Sequence, residues 1–168
     1  MTTPYPTDNA FFERIKSHMF NQFHQKIDID VLKLIAEFYF LFSIMEMKCM
    51  GGEFKIKKIK NLADCIANGN ENVEIINDVF EFLKDRYSDR DRHYILMNGK
   101  DNAIEYYSSI IQKINDGDDS LSAKIELILL VLFRIRNNLF HGPKLEHNIN
   151  IQKELFCKLN QSLEIILI

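Results

Sequence analysis

The chain has no tryptophan, and only three prolines and three cysteines among its 168 residues. With six glycines besides, turn formers are too scarce for a loop-rich β fold or a low-complexity chain. Cys49, Cys65 and Cys157 are far apart and never form a C-x-x-C pair. Their odd number and spacing argue against a disulfide framework and against a zinc cluster, so reduced, mostly buried cysteines are expected. Long hydrophobic runs are missing too. The greasiest stretches, Phe38–Met45 and Leu127–Phe133, fall far short of the ~20 residues that cross a bilayer. The opening MTTPYPTDNA lacks a basic n-region and an apolar h-region, so no signal peptide is expected there. The expectation is a soluble, cytoplasmic protein with no membrane partner. A large positive charge is also absent: the formal net charge is −3, so a nucleic-acid partner would need a local basic patch.

What remains is apolar and aromatic. Hydrophobic residues make up 46% of the chain, with thirteen Phe and six Tyr, enough for one compact domain with an aromatic core. Apolar positions recur with helical period almost everywhere. Asp8 or Asn9 can cap a helix with the stripe Phe12, Ile15, Met19 and Phe23. Asp28 or Asp30 opens a second, from Val31 to about Cys49, stopped by Gly51-Gly52; being apolar nearly all round, it should be central. The basic segment Glu53–Lys60 leads into a short helix with Ile59, Leu62, Ala63 and Ile66 inward. Lys55, Lys57, Lys58 and Lys60 read as a solvated face, with an RNA-contacting ridge as the alternative. Val73, Ile76, Phe80 and Leu83 mark the next helix. Asp85–Tyr94 is polar without clear period and reads as a loop or helix end, its Arg86 and His93 as ordinary solvated charge. Asp101 caps a helix bearing Ile104, Tyr107, Ile111 and Ile114, and Asn115–Ser120 is a loop. A long helix from about Leu121 to Phe140 ends at Gly142-Pro143. The last, roughly Ile149 to Ile166, aligns Ile151, Leu155, Leu159, Leu163 and Ile166. The expected architecture is an all-α bundle of about six to eight helices. Residues 1–8 would form a flexible leader and 9–168 a single domain, with no internal repeat.

The chemistry concentrates at FRIRNNLFHGPK, Phe133 to Lys144. Arg134, Arg136 and Lys144 stand there against no Asp or Glu, directly after the buried run Leu127–Phe133. Arginine offers phosphate a rigid fork of donors, and histidine titrates near neutral pH, so Arg136 and His141 suit a phosphate ligand. Asn137 lies one turn from His141 on the same face. Arg136 is about 140° round from His141 on a straight helix. Either the helix end unwinds, or copies from a second subunit converge at a two-fold axis. No carboxylate in the segment would hold Mg²⁺ and no zinc spacing occurs, so neither a metal nor a cofactor is expected. Phosphoryl chemistry of that kind points to RNA, whose 2′-hydroxyl can attack the adjacent phosphorus. A plain alternative is C-capping, since cations suit that end of a helix dipole. Glu37 and Glu46 interrupt the second helix on nearly opposite faces. One of them is expected to meet Arg136 or Arg134, the other solvent. His18, His24 and His147 read as surface residues, and Phe38, Tyr39, Phe40 and Phe42 as core or dimer surface.

Arg136-Asn137-Asn138-Leu139-Phe140-His141-Gly142, with Lys144 beyond, resembles the R-x(4–6)-H motif of the HEPN superfamily. It is closest to the RNNLFHG-x-K form of abortive-infection and phage-defence proteins. The resemblance covers about a dozen residues, together with the placement of the motif late in a buried helix. It implies a helical bundle that dimerises to join two motifs in one cleft, and a metal-independent endoribonuclease acting as a toxin or defence effector. Carried over, Arg136 and His141 would be the catalytic pair with Asn137 in support, and Lys144, Arg134 and Asn138 would bind substrate. The partners implied are RNA, a second copy of the chain, and an antitoxin or defence-system protein. The products would carry 2′,3′-cyclic phosphate and 5′-hydroxyl ends. Where HEPN toxins silenced by adenylylation carry a Tyr, this chain has Pro143, which speaks against that control. The alternatives are a non-catalytic HEPN-like module that grips RNA or protein, and a purely structural helical domain.

Overall fold

A computed structural model describes residues 8–23, 28–52, 54–69, 71–97, 101–140 and 149–167. Among these it contains eight α-helices and no strand: α1 (Asp8–Phe23), α2 (Ile29–Met50), α3 (Ile59–Gly69), α4 (Val73–Ser88), α5 (Arg90–Met97), α6 (Asp101–Asn115), α7 (Leu121–Phe140) and α8 (Lys153–Leu167). Short 3₁₀ turns at Ile56–Lys58 and Ile149–Gln152 precede α3 and α8. The protein is an all-α bundle. No helix among the described residues is long and apolar enough to cross a membrane.

Helix ends follow local chemistry. Asp28 caps α2 by accepting the Asp30 amide at 3.0 Å, which satisfies one of the orphan donors of the first turn. At the other end Gly51 takes the left-handed conformation, φ 68°, which a side chain would strain. Gly52 N–H then reaches back to the Glu46 carbonyl at 3.0 Å. The Lys58 ammonium donates to the Met50 carbonyl at 2.7 Å, so one lysine of the basic segment serves as a helix cap.

The core is built around α7. Leu127 to Leu132 are fully buried without interruption, because α3, α4, α5 and α6 all pack against this helix. α2 lies against α8. A chain of rings ties these layers: Phe133 stacks on Phe54 at 4.8 Å, Phe54 meets Phe42 at 5.5 Å, and Phe42 meets Phe38 at 5.9 Å. Phe38 in turn meets Phe156 of α8 at 5.7 Å, edge to face, within the favoured range for aromatic pairs. α1 sits apart on a small cluster, with Phe12 and Ile15 against Val31 and Leu32 of α2.

Three expectations are corrected. Asp85–Tyr94 is neither a loop nor a simple helix end: α4 runs on to Ser88, the chain bends at Asp89, and α5 follows. Asp89 restarts the helix by accepting the Arg92 amide at 2.9 Å. Ile151 does not join the core stripe. It lies in the 3₁₀ turn, whose period differs from that of α8, and is 67% exposed. The cysteines are free but not mostly buried, since Cys65 and Cys157 are exposed and Cys49 is half-buried. The stretch 1–7, His24, His147 and the Gly142-Pro143 stop lie outside the described residues, as do the side chains of Asp8, Asn9, His18, Met19, Phe23 and Asp101.

Candidate functional site

The last two turns of α7 hold four polar residues close together, and the helix separates them by angle. Arg134 and Asn138, four apart, share one face; Arg136 lies about 160° round from both, with Asn137 between the two sides. The first face is buried against α5. Arg134 Nε donates to the Leu96 carbonyl at 3.4 Å, and an Nη donates to the Met97 carbonyl. Asn138 Nδ2 donates to the same Leu96 carbonyl at 2.8 Å. The final carbonyls of a helix have no partners within it, and here α7 supplies them. A cation at this end also suits the helix dipole. Burial lowers the Arg134 pKa from its ordinary value. Arg134 and Asn138, expected to bind substrate, therefore act as the C-terminal cap of α5.

Arg136 and Asn137 are half-buried at the edge of the bundle. Arg136 Nη1 donates to Asn137 Oδ1 at 3.1 Å. Its Nη2 stands 3.6 Å from Glu46 Oε2, with the arginine side chain 32% exposed. The guanidinium also lies 5.8 Å from the Phe42 ring centre, within cation–π range. Glu46 is itself fixed, because its Oε1 accepts the Phe54 amide at 3.0 Å. Arg136 thus rests on a ring, held sideways by a carboxylate that the backbone restrains. Beside it the Tyr39 phenol is pushed up to about 12 by burial, with the Arg136 charge opposing that rise.

The expectation that one of the two α2 glutamates meets an arginine is met by Glu46. Glu37 is exposed and accepts from Asn160 Nδ2 at 2.8 Å. The segment is acid-free in sequence, but not in space. Asn137, expected to serve His141 or a phosphate, has its side-chain oxygen on Arg136. α7 keeps its helical path through Phe140, and the expected unwinding point near Gly142-Pro143 lies outside the described residues. His141 and Lys144 themselves lie outside the described residues.

Phe42 and Tyr39 were legible only as core or dimer surface; their place beside Arg136 depends on how α2 crosses α7. Phe40 and Met47, one residue on from Tyr39 and Glu46, are each 68% exposed. Seven apart, they form a nearly straight apolar strip on α2. In comparison with known proteins, the chain matches no family model, no curated protein and no solved structure.

Proposed function

We propose that the protein is a HEPN-type, metal-independent RNA endonuclease that works as a homodimer, as a toxin or phage-defence effector. The observation that carries this reading is Arg136. It is the arginine of the R-N-N-L-F-H-G segment, and it is held half-exposed by Glu46, Asn137 and Phe42, while the neighbouring Arg134 is consumed inside the fold. A pre-positioned guanidinium five residues before a histidine suits a phosphodiester whose charge grows during reaction.

In the proposed step the ribose 2′-oxygen attacks the adjacent phosphorus. The O2′–P bond forms, the P–O5′ bond breaks, and a 2′,3′-cyclic phosphate and a 5′-hydroxyl result. His141 takes the 2′-hydroxyl proton or delivers one to the leaving 5′-oxygen. Arg136 binds the non-bridging oxygens, and Asn137 fixes its fork. Two copies of the motif about a dimer axis provide both proton roles. The exposed pair Phe40 and Met47 on α2, the helix that also carries Glu46, is the proposed contact between subunits, because exposed apolar surface suits association. An antitoxin or defence-system partner would regulate the enzyme.

The test is incubation of total RNA with the protein in EDTA, beside Arg136→Ala and His141→Ala. Cleavage by the wild type alone, leaving cyclic phosphate ends, is expected. Equal cleavage by all three, or cleavage that requires Mg²⁺, overturns the mechanism. The Glu46 contact favours one other reading, a non-catalytic HEPN-like module, since a resident carboxylate competes with phosphate for Arg136. Tight, salt-sensitive RNA binding without turnover would select it.

A further inference from the structure

Round the last turns of α7 from Arg136 lies a cavity of about 350 Å³, walled by α4, α5, α7, α8 and the 3₁₀ turn before α8. Its apolar wall includes Ile95, Ile135, Leu139, Ile151 and Leu155. Two guanidiniums, Arg86 and Arg92, line it as well, and no Asp or Glu does so among the described residues. We propose that this cavity binds a small carboxylate with an aliphatic body, its head held by Arg86 and Arg92 and its chain lying against the isoleucine and leucine wall.

Three observations support the assignment. The first is unbalanced charge. In a chain with more acids than bases, neither guanidinium has a carboxylate partner among the described residues. Arg86 donates through an Nη to Gln152 Oε1, yet its Nε is enclosed without any acceptor. Buried donors are ordinarily paired, and an anion in the cavity would give the Arg86 Nε its acceptor, with the exposed Arg92 guanidinium adding charge at the mouth. The second is exposed apolar surface. Ile151 and Ile95, from different elements, remain 67% and 40% exposed at the same cavity, where an aliphatic chain would cover them. The third is convergence. Arg86 and Arg92 line the same cavity with Tyr87, the Arg86 guanidinium lies 6.0 Å from the Tyr87 ring centre, and both charges oppose the rise that burial gives the Tyr87 pKa.

The size and lining narrow the ligand. A volume of about 350 Å³ is at the small end of ligand sites, roughly 300–1,000 Å³. The mainly aliphatic wall suits an alkyl chain better than a stacked base. Arginine's planar fork matches a carboxylate with two parallel bonds. The face differs from that of Arg136, so the site does not depend on the RNA-cleaving reading.

Calorimetric titration of the full chain with decanoate tests the proposal. A micromolar Kd is expected, weakened at least tenfold by Arg92→Ala. Binding should be lost in Ile151→Asp, which sets a carboxylate at the mouth. Arg92 and Ile151 are both exposed, so these variants spare the fold, and Arg136→Ala should bind decanoate like wild type. No heat with decanoate, equal affinity for 1-decanol, or equal affinity for acetate or inorganic phosphate would each overturn the proposal. So would tighter binding of adenosine monophosphate.

Discussion

Arg134 and Arg136 are the same residue two positions apart, each with an asparagine nearby, and they have opposite employments. Arg134 with Asn138 turns inward and spends its donors on the carbonyls of Leu96 and Met97. Arg136 with Asn137 stays at the edge, held by groups that leave part of the guanidinium in solvent. The difference comes from rotation about the helix axis and from what each face meets. One face meets the end of a helix that lacks donors; the other meets a carboxylate and a ring. A polar cluster in sequence is therefore not one site, and residue type alone cannot divide it.

The strongest way to break this comparison is to truncate each arginine in turn. Arg134→Ala leaves two carbonyls at the end of α5 without a charged donor in a buried setting, and removes a packed side chain. A loss of about 3 kcal/mol is expected, read in urea as a lower midpoint with unchanged slope. Arg136→Ala removes a partly solvated ion pair, one hydrogen bond and a ring contact and should cost about 1 kcal/mol, while abolishing any RNA cleavage. If the two substitutions cost the same stability, the division of labour between the faces is wrong.

The all-α class was legible because helical periodicity recurs in nearly every segment, and the bounds of α2 and α7 because Asp28, Gly51 and the Leu127–Phe133 run mark them. α5 was not legible. Its eight residues, RDRHYILM, carry too few apolar positions to display a period. That omission propagated, since with no α5 in view there were no carbonyls for Arg134 and Asn138 to cap. Ile151 failed for a similar reason: helical spacing extended across a 3₁₀ turn assigns the wrong face. That one of Glu37 and Glu46 meets an arginine was legible, because a charge within an apolar helix needs a counter-charge. Which arginine it meets depends on how α2 crosses α7, a tertiary fact that no local pattern contains.

Glu46→Gln sharpens the comparison on the Arg136 side. The amide keeps an acceptor for the Phe54 N–H but removes the charge facing Arg136. An ion pair of this partly exposed kind contributes no more than about 1 kcal/mol, which corresponds to roughly a fivefold change in an equilibrium constant. RNA affinity at low salt, measured with His141→Ala also present to prevent turnover, should tighten by up to about that factor. Unchanged or weaker binding would mean that Arg136 is not the phosphate contact.

The smallest effect reads the Arg136 charge directly, through Tyr39. Burial pushes this phenol up to about 12, and Arg136 holds it below where burial alone would put it. Because the folded pKa lies above the ordinary 10.0, the unfolded chain loses this proton first as pH rises. The associated stability is thus complete below about pH 10 and falls away between about 10 and 12. Arg136→Ala should move the Tyr39 titration upward, seen by phenolate absorbance as the difference between chains with Tyr39 and with Tyr39→Phe. Arg134→Ala, which removes a charge on the other side of α7, should leave that difference curve where it was. A shift from both arginines would mean that the two faces share one electrostatic environment, and that the angular separation along α7 does not isolate the candidate site from the cap.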